Sequence, residues 1–309
     1  QPLLVGGSPF DTTSIYGLIH YLEAKWGVFY AEGGTGAIVS ALGHLMKEEG
    51  VTVLLNTTVE SVELTNGGAT GVKLENGERI AADIVVSNAD PMHLFGKMIP
   101  AADQGVTARL KYKTARLSMG LVLLYFGTRR QYPALARHTI WLGKRYRGLL
   151  DDIFKRKILA EDFSLYVHRP TATDPGFAPE GCDSFYVLCP VPNLTNPIDW
   201  KVEGPRLRDR IVAGLERTIM PGLRDVITAE TIMTPNDFES RYLSHAGAGF
   251  SIAPHFTQSA FFRFHNKAEG IRNLYLTGAG THPGAGIPGV LCSAKVVDRL
   301  VPAANRFEG

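Results

Sequence analysis

The chain has 309 residues, 45% of them apolar and 20% charged, with a formal net charge of +2. That is the balance of a folded globular protein, long enough for two domains and a substantial core. The 33 Gly and 18 Pro fall in clusters without a period, which excludes collagen-like and low-complexity sequence.

Residues 13–24 predict a helix, with Ile15, Leu18, Ile19 and Leu22 at helical spacing. Gly33-Gly34-Thr35-Gly36 then forms a tight turn, after which Ile38, Val39, Leu42, Leu45 and Met46 mark one face of a helix ending near Gly50. Residues 51–55 and 59–64 read as strands. A hairpin follows, with arms 70–74 and 79–86 joined by Asn76-Gly77, a pair suited to a type I′ turn. Residues 117–126 predict a buried strand, with 163–167 and 185–189 as its partners and a loop over 170–179. A helix is expected over 205–220, with Pro205 near its start. Strand 273–277 leads into the densest glycine cluster of the chain, and a last helix spans 288–300. The pattern is a mixed α/β fold. Its first and last β-α units belong to one domain, and a strand-rich second domain is inserted between them. The expected boundaries are 1–29 for a substrate- and membrane-facing helical segment, 30–98 and 263–309 for the two parts of the first domain, and 99–262 for the second.

The strongest motif is Gly278-Ala279-Gly280-Thr281-His282-Pro283-Gly284-Ala285-Gly286-Ile287-Pro288-Gly289. Glycine lets a ligand approach the backbone, and a helix N-terminus offers free N–H groups and a partial positive charge to an anion. Gly284, Gly286 and Gly289 also match G-x-G-x-x-G. A nicotinamide site is rejected, because that fingerprint expects a further strand and an acidic residue about 20 positions on. The primary dinucleotide unit is expected upstream of Gln1. The chain opens without an initiator Met and enters Leu3-Leu4-Val5-Gly6-Gly7, which reads as a fragment. No hydrolase motif or metal spacing occurs. Of nine scattered histidines, His282 alone sits in the glycine turn, and it is the one candidate for catalysis.

Nine Lys or Arg lie between Arg129 and Lys157, against Asp151 and Asp152 alone, interleaved with Tyr132, Trp141, Tyr146 and Phe154. Such a stretch serves as a solvated face or as a surface for anionic lipid. Nucleic acid is not expected, since no binding motif accompanies the charge. Cys182, Cys189 and Cys292 cannot all pair within the chain, which favours a reducing cytosol.

Together these residues resemble the bacterial phytoene desaturases, a family of flavoproteins related to amine oxidases. Besides the glycine turn, the resemblance rests on Leu4-Val5-Gly6-Gly7-Ser8-Pro9-Phe10, Gly33-Gly34-Thr35-Gly36-Ala37, Asp162-Phe163-Ser164-Leu165-Tyr166, Ala178-Pro179-Glu180-Gly181-Cys182, Trp200-Lys201-Val202-Glu203-Gly204-Pro205 and Met220-Pro221-Gly222-Leu223. It implies a Rossmann-like FAD domain, here lacking its N-terminal part, with a mixed-sheet substrate domain inserted. It further implies that Gly278 and Ala279 lie along the cofactor's ribityl chain with Gly280 also in the cofactor site, that the Gly286 and Ile287 amides lie near its ring, and that Val59 belongs to the strand whose backbone meets its adenine. Gly33 and Gly34 would line the same cleft. Ala279 stands where many amine-oxidase relatives carry an acidic residue, a departure that phytoene desaturases share.

The implied chemistry is FAD-dependent desaturation of phytoene and partly desaturated carotenoids. The implied setting is cytoplasmic and peripheral on the bacterial cell membrane, and a homo-oligomer is left open. A desaturase of C30 substrates, a carotenoid ketolase and a non-catalytic prenyl-lipid binder remain as alternatives.

Overall fold

The computed structural model describes residues 5–303; Leu3 and Leu4 of the apolar opening lie outside them. A 3₁₀ turn, Ser14–Gly17, leads into α1 (Leu18–Trp26), and α2 (Gly34–Glu48) starts inside the first glycine cluster. The periodicity of α2 is as expected, yet its apolar side meets no core. Val39 is 70% exposed and Leu45 50%. Residues 51–55 do not form the expected strand. A strand needs partners for its backbone groups, and among the described residues nothing pairs with this segment; Leu55 is 79% exposed.

β1 (Val59–Thr65), β2 (Gly68–Leu74) and β3 (Arg79–Ala81) form an antiparallel sheet. The two-residue turn expected at Asn76-Gly77 lies instead at the other end of β2. The two-residue turn with both φ positive is Asn66-Gly67, at 51° and 76°. At the expected site only Gly77 has positive φ, 88°. There the Gly77 N–H donates to Leu74 O, and Asn76 instead accepts the Glu78 N–H with its side chain. That is the longer turn followed by a glycine bulge. The second expected arm also divides. Beyond β3 the chain breaks step, and β4 (Val85–Ser87) pairs in parallel with β10 (Leu274–Leu276) in another sheet.

A five-stranded antiparallel sheet carries the middle of the chain, in the order β6 (His138–Trp141), β7 (Leu165–His168), β8 (Asp183–Val191), β5 (Gly120–Thr128), β9 (Ile227–Met233). β8 pairs with β5 as expected. β7 pairs with β8 and not with β5, and the second neighbour of β5 is β9.

Both faces of this sheet are apolar. Val122, Leu124, Phe185, Val187 and Cys189 pack against α5 (Trp200–Thr218) through Leu207, Ile211 and Leu215. On the opposite face Leu121, Leu123 and Leu188 meet Leu149 of α4 (Tyr146–Asp151) and Ile153 beyond it. α5 begins five residues earlier than Pro205. Asp199 accepts the Lys201 N–H and caps a helix starting at Trp200, so Pro205 lies inside it. Pro205 has no N–H for the carbonyl of Lys201, which belongs to an exposed residue.

A separate apolar cluster joins Val62 and Ala69 of the small sheet to Leu94, Phe95 and Met98 of a π-turn. α3 (Val106–Thr114) adds Ala108, and Ile252, Phe264, Leu274 and Leu276 complete the cluster. It therefore draws on chain segments from both sides of the five-stranded sheet. α6 (Pro235–Tyr242) and α7 (Ile287–Leu300) complete the helices used below.

Candidate functional site

β10 ends at the glycine turn. The Thr277 N–H continues the ladder to Ser87 O at 2.9 Å. At Gly278, φ is +101° and a Cβ would fall 2.3 Å from Asn88 Oδ1, so the close approach of the two strand ends requires glycine. The Gly278 N–H donates to Ser293 Oγ of α7 at 2.9 Å, and Thr281 Oγ1 donates to Gly278 O at 3.0 Å. Gly280 packs under Pro91 and Ser251, where a Cβ would lie 2.3 Å from Pro91 Cδ. These contacts hold the first half of the turn against the protein.

The second half faces outward. Gly286 is exposed, with φ +97° and ψ 148°, and a Cβ there would meet nothing within 4 Å. Among the described residues no acceptor takes the N–H groups of Ala285, Gly286 and Ile287. Ile287 is the first residue of α7 and is 51% exposed. The turn thus presents free amides at the positive end of a 14-residue helix.

Beneath the turn lies Arg263, 2% exposed. Its Nε donates to Thr281 O at 2.9 Å, Nη1 to Gln258 O at 3.2 Å and Nη2 to Ala279 O at 2.5 Å. Burial pulls its pKa down, while the charges of Tyr16 and Asp90 push it up. Asn266, also buried, donates Nδ2 to Leu276 O at 3.1 Å and to His282 O at 2.9 Å. Arg263, Asn266 and Ser293 were not singled out from the sequence. The one available signal was Arg263, the charge that ends the long uncharged run over 242–262.

His282 is half-buried. Its backbone N–H donates to Phe264 O at 3.0 Å, and its Nδ1 is buried without a partner among the described residues. Among the described residues no carboxylate contacts the ring. Nearby, Asp90 Oδ1 accepts the Met92 N–H at 2.8 Å and caps the short helix Pro91–His93. Burial raises the Asp90 pKa above its ordinary value, against the lowering effects of hydrogen bonds and His245.

Gly278, Ala279, Gly280, Gly286 and Ile287 therefore share one turn. Val59 opens β1 and packs against the apolar cluster that includes Leu274 and Leu276. Gly33 and Gly34 have different neighbours: a Cβ at Gly34 would lie 2.9 Å from Phe177 and 3.4 Å from Tyr30 Oη, and one at Gly33 would meet Ala37.

A second concave feature lies on the sheet face opposite α5. It is a groove of about 700 Å³ whose walls include Leu121, Tyr166, Tyr186, Leu188, Leu149 and Phe250. Alternation along β8 explains it, since Phe185, Val187 and Cys189 point into the core while Tyr186 and Leu188 point into the groove. At one end the rings form a band: His138 stacks on His168 at 4.9 Å, Tyr125 lies 5.2 Å from Tyr186, and His138 Nδ1 meets Tyr166 Oη at 2.7 Å. The other end is rimmed by Ile140, Leu142 and Tyr146, which are 54%, 62% and 44% exposed.

The chain matches the family described as flavin containing amine oxidoreductase across residues 4–297. It is 50% identical over 300 residues to a phytoene desaturase (lycopene-forming) of Pantoea ananas, covering 97% of this chain and 61% of that protein. A phytoene desaturase (neurosporene-forming) of Rhodobacter capsulatus is 44% identical, with coverage of 100% and 60%. The chain thus spans about three fifths of the curated relatives it matches. An oxidoreductase of Methanosarcina mazei superposes with a TM-score of 0.58 at 16% identity, over 86% of this chain and 54% of that one, which is a likeness of fold.

Proposed function

We propose, from the premise that the chain belongs to the flavin containing amine oxidoreductase family, that it is the substrate-binding and ring-proximal part of an FAD-dependent desaturase acting on phytoene. The residues of the glycine turn fit the cofactor. Free amides at Ala285, Gly286 and Ile287, a helix N-terminus and a buried guanidinium all favour negative charge in the open space beside Gly286. When bound, FAD would supply an acceptor for hydride at its N5, the accompanying proton being released to solvent.

The observation that carries the choice of substrate is the apolar groove. A polyene precursor has no polar group to anchor, so its binding rests on buried apolar area, at roughly 25 cal/mol per Å². Leu121, Leu149, Leu188 and Phe250 offer such a surface, and among the described residues no carboxylate lines the groove. The same argument supports a surface location. A substrate dissolved in lipid enters by an apolar rim, which Ile140, Leu142 and Tyr146 provide beside Lys144 and Arg147. No helix among the described residues is long and apolar enough to cross a membrane.

The test is to express the full-length gene product in a host that accumulates phytoene and to read the pigments by absorption and chromatography. Conversion of phytoene to coloured products is expected. A flavin-loaded protein that leaves phytoene untouched and desaturates a C30 precursor would transfer the reading to that alternative. One that binds prenyl lipid without any turnover would favour the non-catalytic relative.

A further inference from the structure

Charged side chains buried without a counter-charge are costly, and they persist where surrounding dipoles or a ligand compensate them. Arg263 has no acidic group in contact with it among the described residues, Asp90 and Tyr16 acting on it only at a distance. It is 2% exposed, and its three hydrogen bonds go to backbone carbonyls, two of them at Ala279 and Thr281 of the glycine turn. Among the described residues its guanidinium forms no ion pair. Lys111, close by, is engaged elsewhere, donating to Arg263 O at 2.8 Å and pairing with Glu269 at 2.5 Å. A Cβ built on Gly284 would lie 3.9 Å from Arg263 Nε, so the guanidinium sits directly under the segment whose outer side carries the free amides.

We propose that Arg263 is a positioning residue for the flavin site, whose planar fork fixes the shape of the glycine turn from within and whose buried charge favours an anion on the turn's outer side. This rests on the reading that the turn holds the flavin. The fork geometry carries the first half of the role. One guanidinium reaches Ala279 O and Thr281 O together, and a lysine ammonium has no such planar pair of donors. The charge carries the second half. FAD gathers negative charge along its pyrimidine edge on reduction, so a nearby cation binds the reduced form more tightly than the oxidised form and raises the midpoint potential.

The experiment compares Arg263→Lys and Arg263→Gln in the full-length gene product, measuring FAD dissociation constants and midpoint potentials by dye equilibration. The Gln variant is expected to lose at least tenfold of its preference for reduced over oxidised flavin, a fall of about 30 mV for two electrons. The Lys variant is expected to bind FAD more weakly while keeping most of the potential. A Gln variant that binds FAD at the wild-type potential would overturn the proposal, since a purely structural arginine moves affinity and stability alone.

If Arg263→Gln does not fold, Arg263→Lys carries the test through pH. A buried ammonium loses its proton far more readily than a guanidinium, so its potential should fall more steeply with pH than that of the wild type. Equal slopes would overturn the proposal as well. The underlying reading fails separately, if Gly286→Asp retains FAD at wild-type affinity; the flavin then does not pass this turn.

Discussion

Gly286 shows how a backbone conformation and an open space combine at a single residue. At φ +97° and ψ 148° an L-residue is strained by about 1–3 kcal/mol wherever it points. No atom lies within 4 Å of a Cβ there, so strain is all that alanine adds to the flavin-free chain. Gly286→Ala and Gly286→Asp should therefore lower the midpoint of thermal unfolding by similar amounts. They should part company in an FAD titration. A carboxylate about 4 Å from a developing anion, at an effective dielectric near 20, adds repulsion on the order of 4 kcal/mol before screening. Equal FAD affinity in the two variants would remove the flavin from this turn. Asp90 offers a second test at this scale. Burial holds its pKa above the ordinary 3.8, so its folded-state value exceeds its unfolded one. Its contribution favours the native state fully below 3.8 and is lost as pH rises through the folded value. Asparagine caps a helix as well as aspartate does, so Asp90→Asn should keep the Met92 contact and raise the unfolding temperature at pH 7. That advantage should vanish below the unfolded pKa. A gain that persists unchanged in acid would mean that the carboxyl is not the cause.

Two helices with similar apolar periodicity meet opposite fates, and the contrast marks what the sequence could say. In α5, Leu207, Ile211 and Leu215 are 1%, 1% and 0% exposed against the large sheet; in α2, Leu42 and Leu45 are 45% and 50% exposed. Leu207→Ala should cost about 2–5 kcal/mol in chemical denaturation, whereas Leu45→Ala should stay within about 0.5 kcal/mol. A comparable loss at both positions would show that the face of α2 is covered in solution. Periodicity identified both helices because it belongs to one element, but it says nothing about what the apolar side meets. Strand pairing is less legible still. β5 and β8 announce themselves through long apolar runs. β6, only His138–Trp141, and β9, with Thr228, Glu230 and Thr231 in its sequence, are edge strands whose side chains alternate weakly. Residues 51–55 have the composition of a strand and lack a partner among the described residues. The glycine turn was legible as a site because the glycines and the following helix are local in sequence. Its buried support was not, because Arg263 reaches the turn through tertiary packing.

At the scale of the whole molecule, the basic stretch from Arg129 to Lys157 is not one surface. The register of the sheet places His138 beside His168, and His168 beside Tyr186, at the end where β5 finishes, while Trp141 pairs with Leu165 at the other. Arg129 follows β5 at the first end, and Lys144 follows β6 at the second, next to the apolar rim of the groove. Several of the cations are also committed within the fold. Arg145 bridges Asp152 and Asp162, Arg156 pairs with Asp152, Lys155 pairs with Asp151, and Arg130 lies over the Tyr132 ring. Replacing Arg145 would strip a partner from the buried Asp152, so it is a poor probe of a membrane surface. Lys144 and Arg147 are exposed beside Leu142 and Tyr146, and Arg147 packs over Phe10 without an acidic partner among the described residues. A basic residue near an anionic bilayer contributes about 1 kcal/mol, screened by salt. Lys144→Gln with Arg147→Gln should therefore weaken sedimentation with anionic liposomes about 30-fold at low salt. Arg129→Gln, at the far end of the sheet, should leave it unchanged. Leu142→Ser should weaken binding at low and high salt alike, because the contact it removes is apolar. If the double variant binds like the wild type, or if Arg129→Gln weakens binding equally, the rim of the groove is not a membrane-binding surface.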